Sequence, residues 1–466
     1  MRLASLREHG PSILVAALSS AFGVSVLQFF GVLTQIISAD TVTGSSDTVA
    51  ALLAVVAFVF IAIAVYVGAV VTSNTFSTII AGRTRTIALM RLIGSSAAAQ
   101  RTAVAREGLL VGIVGAVIGA VVGTLATLAV VSVGLWFNQI PSLTYSFFAP
   151  TLLLPIAGVV LTTWLASWIG SRRVLVVSPM QATGAALEHS REETTASRAR
   201  STAAITLFAV GIGFLVLAIL LGLITPAAVL VGIVGGIFSF TGLVMGAHLV
   251  MPPALRLVGR LLGKSAPSRL AAENAVRYPE RSSRTTIGLV IGVTLVTMFA
   301  VALQGYLNLI NAAAAADPEY YAGIDETLIL TVVIFSVLVG FSAVIAAVGM
   351  VNNLSLSVLQ RTRELGLLRA LGFTGKQVRA MIVAESAQLT LASVLVGLVL
   401  GTFYGWAGAQ SLLGGINGSP GFIMPGMPLP FLIGVIVLAA ALTFGASVGP
   451  SRRATRIAPV AALAVE

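Results

Sequence analysis

The chain has 466 residues, 57% of them hydrophobic and 9% charged, whereas soluble domains are roughly 45–50% apolar and about 25% charged. That composition belongs in lipid. The formal net charge of +11 does not indicate nucleic acid, because the basic residues fall in short segments between apolar runs and are not interleaved with aromatics. The absence of cysteine excludes disulfide frameworks, thiolate metal sites and cysteine nucleophiles.

A helix needs roughly 20 apolar residues to cross about 30 Å of hydrocarbon, and about ten runs reach that length. In chain order they are Ser12 to Ile37, Val49 to Val71, Gly108 to Leu135, Phe148 to Ile169, Ala203 to Ile224, Ala227 to Met251, Thr286 to Ile310, Leu328 to Val351, Ser386 to Leu412 and Leu429 to Val448. The first run follows Arg2 and Arg7 and is longer than the h-region of a signal peptide, so it reads as a retained anchor. If the ten runs alternate in direction, all 27 Lys and Arg residues land on one side together with both termini, while the opposite loops carry only acidic charge such as Asp40, Asp47, Asp317 and Glu319. The positive-inside rule then puts both termini in the cytoplasm. The outside loops are short, so no folded external domain is expected. The last of them, Leu413 to Pro428, is rich in Gly and Pro and irregular.

Sliding the chain by 278 positions, which lays Gly94 on Gly372, superimposes the segment after the second run on the segment after the eighth without a gap. Asn74, Arg83, Thr84, Arg85, Leu89, Arg91, Gly94, Arg101, Glu107, Gly119 and Gly123 meet identical residues at Asn352, Arg361, Thr362, Arg363, Leu367, Arg369, Gly372, Arg379, Glu385, Gly397 and Gly401. Two copies of four spans in the same orientation make a parallel repeat about an axis along the membrane normal. The predicted organisation is a first four-helix unit at 1–186, a cytoplasmic linker at 187–202, a connecting helix pair at 203–252 and a second four-helix unit at 253–466. The fold class is an all-α polytopic membrane protein. The second unit opens on Leu255 to Arg284, where seven basic residues among leucines and alanines predict a helix at the lipid headgroups. Arg2 to His9 is the shorter counterpart.

Ionisable groups buried in spans mark proton or ion pathways, and the runs hold essentially none. Glu107 and Glu385 stand at the cytoplasmic ends of the third and ninth spans, and His248 near that of the sixth, as caps or packing residues. Gly259 to Ser265 falls one residue short of phosphate-loop spacing and follows no strand, so no nucleotide site is expected in this chain. In Gln360 to Gly372, Leu367, Leu368 and Leu371 recur at helical spacing beside Arg361, Arg363, Glu364 and Arg369. An amphipathic helix of this kind fits either a partner's groove or the headgroup layer. Gly115, Gly119 and Gly123 form one helix-packing face, and Gly397, Gly401 and Gly405 another.

The segment from Gln360 through Gly372 to Glu385, with the ending Ser451 to Val460, resembles the signature of FtsX-like (MacB-type) ABC transporter permeases. The central pair of spans is similar to the ten-span duplicated branch, which includes permeases of antimicrobial-peptide resistance. The resemblance implies that Arg361 to Gly372, and Arg83 to Gly94 in the first copy, are coupling helices that dock on separate ABC-type ATPase subunits. It further implies two ATPases per permease chain, with ATP and Mg held by those partners and no cofactor bound here. In the first copy Thr86 and Ile87 replace Glu364 and Leu365, which implies a weaker grip. The expected activity is export or extraction of an amphiphilic or hydrophobic substrate by mechanotransmission from a bacterial inner membrane. The alternatives are an ion-coupled secondary transporter, or a non-transporting sensor that works with a two-component kinase.

Overall fold

Long apolar sequence in lipid has no water to satisfy its peptide groups, so the backbone must bond to itself, and a helix does so within one segment. The computed structural model describes residues 10–39, 47–82, 89–90, 93–137, 140–171, 198–261, 266–277, 279–316, 318, 331–332, 335–336, 339–340, 342–344, 367–415, 421–438 and 440–441. Every regular element among them is helical. In the first unit α1 is Gly10–Ala39, α2 is Asp47–Gly82, α3 is Ala97–Trp136 and α4 is Leu153–Gly170. Next come α5 (Arg198–Leu221), α6 (Ala228–Met245), α7 (Ala247–Leu261) and α8 (Ala266–Arg277). Then follow α9 (Pro279–Ala316), α10 (Gly375–Leu413) and the short α11 (Leu429–Leu438).

Seven helices among the described residues, α1, α3 to α6, α9 and α10, are long and apolar enough to cross a membrane. The apolar part of α2, Ala54–Val70, and α11 are shorter. Most of the predicted span Leu328 to Val351 lies outside the described residues. The chain is a multi-pass, all-α membrane protein.

Several boundaries differ from the hydropathy reading, each for a local reason. α3 and α10 begin eleven residues before their apolar runs, because capped polar turns continue the helix beyond the hydrocarbon. The sixth span ends at Met245 rather than Met251, where Gly246 breaks the helix and α7 leaves as a strongly amphipathic segment with Pro252 and Pro253 inside it. The interfacial stretch predicted as one helix is divided among α7, α8 and the start of α9. α5 starts at Arg198, inside the predicted linker, whose residues 187–197 lie outside the described set.

Burial ranks the helices. In the spanning windows of α1 and α9, 78% and 83% is inside the protein, against 33% for α3 and 28% for α4. α1 and α9 are therefore the inner helices, while α3 turns Val117, Val121 and Leu125 outward, as a lipid-facing stripe allows. Within each unit the third helix lies along the first: α3 on α1, and α10 on α9. The glycine faces sit in those two contacts. A Cβ at Gly123 would lie 2.6 Å from the Ala21 carbonyl oxygen, and one at Gly401 the same distance from that of Thr294. Gly115 and Gly119 face Ala16, Ala17 and Ser20, and Gly397 and Gly405 face Val293 and Met298. Both stripes thus pack inside a unit, not between units. Ser20 and Ser25 hydroxyls donate across the first contact to the carbonyls of Ala116 and Gly123, at 2.8 and 3.1 Å.

The units meet through phenylalanines. Phe60 of α2 stacks on Phe299 of α9 with centroids 5.5 Å apart, and Phe22 of α1 lies 6.2 Å from the same ring. α5 and α6 pack closely on one another, and α6 touches both α2 and α10, so the connecting pair leans on both units.

Candidate functional site

The duplicated polar segments converge on one backbone device. In the second copy residues 367–370 are helical, and the Leu371 amide donates to the Leu367 carbonyl at 2.9 Å. The helix is then closed by two reverse bonds, from Phe373 N–H to Leu368 O at 3.0 Å and from Gly372 N–H to Arg369 O at 3.1 Å. This pair is a Schellman ending, which needs a left-handed residue between its partners. Gly372 supplies it with φ 100°. Two residues later Thr374 caps α10: its Oγ1 accepts from the Gln377 amide at 3.2 Å, and its own amide donates to Gln377 Oε1 at 2.9 Å.

The first copy repeats this. Ile93 N–H donates to Leu89 O at 3.2 Å and Ser95 N–H to Met90 O at 3.0 Å, with Gly94 at φ 99° between them. Ser96 caps α3 by accepting from the Ala99 amide at 3.1 Å. Ala99 cannot return the bond, so the first elbow has half the capping box. Apart from the adjoining residues, no heavy atom among the described residues lies within 4 Å of a Cβ built on Gly94 or Gly372, so backbone conformation and not tertiary crowding explains glycine there.

Around these turns the side chains divide. Leu89 and Ile93 are 49% and 80% exposed, and their counterparts Leu367 and Leu371 are 52% and 72% exposed. One turn apart on a short helix, each pair presents a single apolar edge. Leu368 turns inward, with Phe373, onto Ala271 of α8 and Val378, Met381 and Ile382 of α10. Its counterpart Met90 is 43% exposed. Arg369 is half-buried and engaged. Arg83, Arg85, Arg91, Arg361, Arg363 and Glu364 lie outside the described residues.

Glu107 and Glu385 sit half-buried in the first third of α3 and α10, and neither lacks a partner. Near the base of α3, the Arg101 guanidinium lies over the Trp168 ring at 4.2 Å and ties α3 to the end of α4. His248 is buried against the Ser201 hydroxyl (3.3 Å) and the Met245 carbonyl (3.2 Å), as a packing residue would be. The sequence reading passed over Ser96, Thr374 and Gln377, although Thr374 and Gln377 at three-residue spacing are a legible helix-start signal. It also passed over Tyr66, Phe240 and Tyr404, which nothing local sets apart from other aromatics in apolar spans.

Comparison with known proteins bears on this doubled arrangement. The model of the family described as FtsX-like permease C-terminal matches residues 58–179 and again 336–459, a little over half of the chain, and each match contains one elbow. Among curated relatives, the uncharacterized ABC transporter permease YknZ of Bacillus subtilis (strain 168) is 36% identical over 154 residues, covering 32% of this chain and 35% of that one. The uncharacterized ABC transporter permease MJ1507 of Methanocaldococcus jannaschii is 27% identical over 143 residues, covering 30% and 33%. The macrolide export ATP-binding/permease protein MacB of Nitrobacter winogradskyi is 29% identical over 131 residues, covering 28% and 19%. The chain thus spans about a third or less of the length of each of these relatives. With the family model falling on both halves, the chain belongs to the FtsX-like permeases, as an ABC transporter permease of the FtsX and MacB type.

Proposed function

We propose that the chain is the permease subunit of an ATP-driven transporter and that two separate ABC-type ATPase subunits dock on its two elbows. The observation behind this reading is the doubled apolar edge, Leu89 with Ile93 and Leu367 with Leu371, held at a fixed angle to a long spanning helix by a Schellman turn and a capped start. An apolar helix edge entering a partner's groove is a common mode of recognition. Arg83, Arg85, Arg91, Gly94, Arg361, Arg363, Glu364, Leu368, Arg369 and Gly372 complete the proposed coupling set, with ATP and Mg held in the partners.

On this reading ATP-driven closure presses the two elbows. Because only a closed helix ending and a capped helix start separate each elbow from the next helix, displacement passes into α3 and α10 instead of being absorbed in a loop. The glycine contacts bind α3 to α1 and α10 to α9, so each unit moves as a body and the phenylalanine seam is where they shift. The elbows and both termini face the cytoplasm of a bacterial inner membrane. The cargo is an amphiphilic or hydrophobic molecule, a lipid, drug or antimicrobial peptide, exported or extracted from the bilayer; the macrolide export named for the MacB relatives supports that class.

The test is copurification of the chain with its cognate ATPase, before and after Leu367→Glu with Leu371→Glu. The charged pair should abolish capture while the permease still inserts and elutes as a single species. Undiminished capture and ATP-dependent flux in the variant would overturn the docking scheme.

A further inference from the structure

An apolar cavity of about 130 Å³ lies inside the membrane-spanning part, where α2 of the first unit, α5 and α6 of the connecting pair, and α9 and α10 of the second unit come together. Its existence depends on α6. The Tyr66 hydroxyl on α2 lies 2.8 Å from Thr241 Oγ1, and the Tyr404 hydroxyl on α10 donates to Ser239 Oγ at 3.0 Å, so each unit is tied to α6 by one tyrosine. Between them the Phe240 ring meets Tyr66 edge-on at 6.3 Å and Tyr404 at 6.1 Å. The cavity is the space left beside that clasp.

The lining rules out water as the natural occupant. A buried water needs two to four polar partners. Among the described lining residues the Tyr66, Tyr404 and Ser411 hydroxyls are already bonded to protein, which leaves the Thr294 hydroxyl. An apolar cavity of ~150 Å³ is large enough to take benzene, so this one matches the end of a single hydrocarbon chain and not a whole amphiphile. The solvent surrounding spanning helices is alkyl chain, and the cavity is only partly enclosed.

We propose that this cavity is a binding site for the terminal part of one lipid acyl chain, seated between the two units against α6. The site is independent of the ATPase reading, since nothing in it requires nucleotide. Two glycines make it testable. Gly236 and Gly408 both line the cavity, and a Cβ at either meets no atom of the surrounding structure within 4 Å, so a side chain added there starts into open space. Gly213 is equally unobstructed but lies on the exposed face of α5, away from the cavity, and serves as control.

The full chain is reconstituted in nanodiscs containing phosphatidylglycerol with a diazirine near the end of one acyl chain, then irradiated and mapped by peptide mass spectrometry. Labels should concentrate on the cavity-facing residues of α2, α6 and α9, such as Ile63, Ile237 and Leu295. Labelling there should fall at least fivefold in Gly236→Leu with Gly408→Leu and stay unchanged in Gly213→Leu. If the leucine pair fails to elute as a single species, Gly236→Val alone replaces it, with the same drop expected. Labels confined to outward faces such as Val117 and Val121, or cavity labels that persist in the filled variants, would overturn the proposal. So would a raised melting temperature in the filled variants with no cavity labelling in the parent, which would mark an empty void.

Discussion

The amide of Phe373 lies 3.0 Å from the carbonyl oxygen of Leu368, and Gly372 between them holds φ at 100° to allow the bond. Ser95 and Met90 repeat the relationship at 3.0 Å across Gly94. Two turns of the same construction, each followed by a side-chain cap, make two stiff joints between a short helix and a long apolar one.

Gly372→Ala should weaken coupling by forcing an L side chain into left-handed backbone, a strain of roughly 1–2 kcal/mol. The added methyl meets no atom of the surrounding structure, so no tertiary clash adds to that backbone strain. Asn tolerates this conformation better, and Gly372→Asn should be milder. ATPase stimulation by reconstituted permease reads the order Gly, Asn, Ala. Equal loss in Asn and Ala would show that φ is not why glycine stands there.

The two elbows should differ in rigidity. The second rests on α8 through Leu368, Phe373 and Met381, whereas Met90 at the first is 43% exposed. Met381→Ala removes a side chain that is 1% exposed and should cost about 2–5 kcal/mol locally. Hydrogen exchange of residues 367–374 should then rise by at least tenfold, with residues 89–96 unchanged.

Close glycine contacts should be intolerant where open ones are not. Gly123→Ala or Gly401→Ala drives a methyl to 2.6 Å from a carbonyl oxygen, and overpacking of this kind costs roughly 1–3 kcal/mol. Gly213→Ala meets nothing and should leave the melting temperature unchanged or slightly raised, since alanine is the better helix former. Thermal unfolding followed by size-exclusion fluorescence separates the two outcomes.

Orientation can be read with single cysteines, because the chain has none of its own. Ile93→Cys and Leu371→Cys should react with a membrane-impermeant maleimide only after cells are opened, and Phe148→Cys should react in intact cells. All three positions are exposed, so reactivity reports sidedness. The reverse pattern would invert the topology.

Much of the fold was legible in one dimension because lipid enforces it. A run such as Ser12 to Ile37 has few ways to satisfy its backbone other than a helix. Where polar sequence carried the helix onward, as in the turns from Ala97 to Glu107, hydropathy stopped short, although Ser96 and Thr374 were visible as caps. Gly94 and Gly372 stood out through duplication, but their reason, a positive φ, is a backbone angle that no composition records. Leu367 and Leu368 are identical letters. Only packing sends one outward and the other onto α8.

By itself the sequence determined the helical class, the doubled unit and the family, since each follows from the length, spacing and identity of residues close along the chain. The tertiary structure alone decided which helix each glycine stripe faces, that α6 is clasped by Tyr66 and Tyr404, and that a cavity remains beside Phe240. Those depend on residues brought together from as far apart as positions 66 and 404. In a bilayer, where nearly every span is apolar on all sides, hydrophobic pattern carries little information about which helix meets which, and shape complementarity and a few hydrogen bonds make the choice.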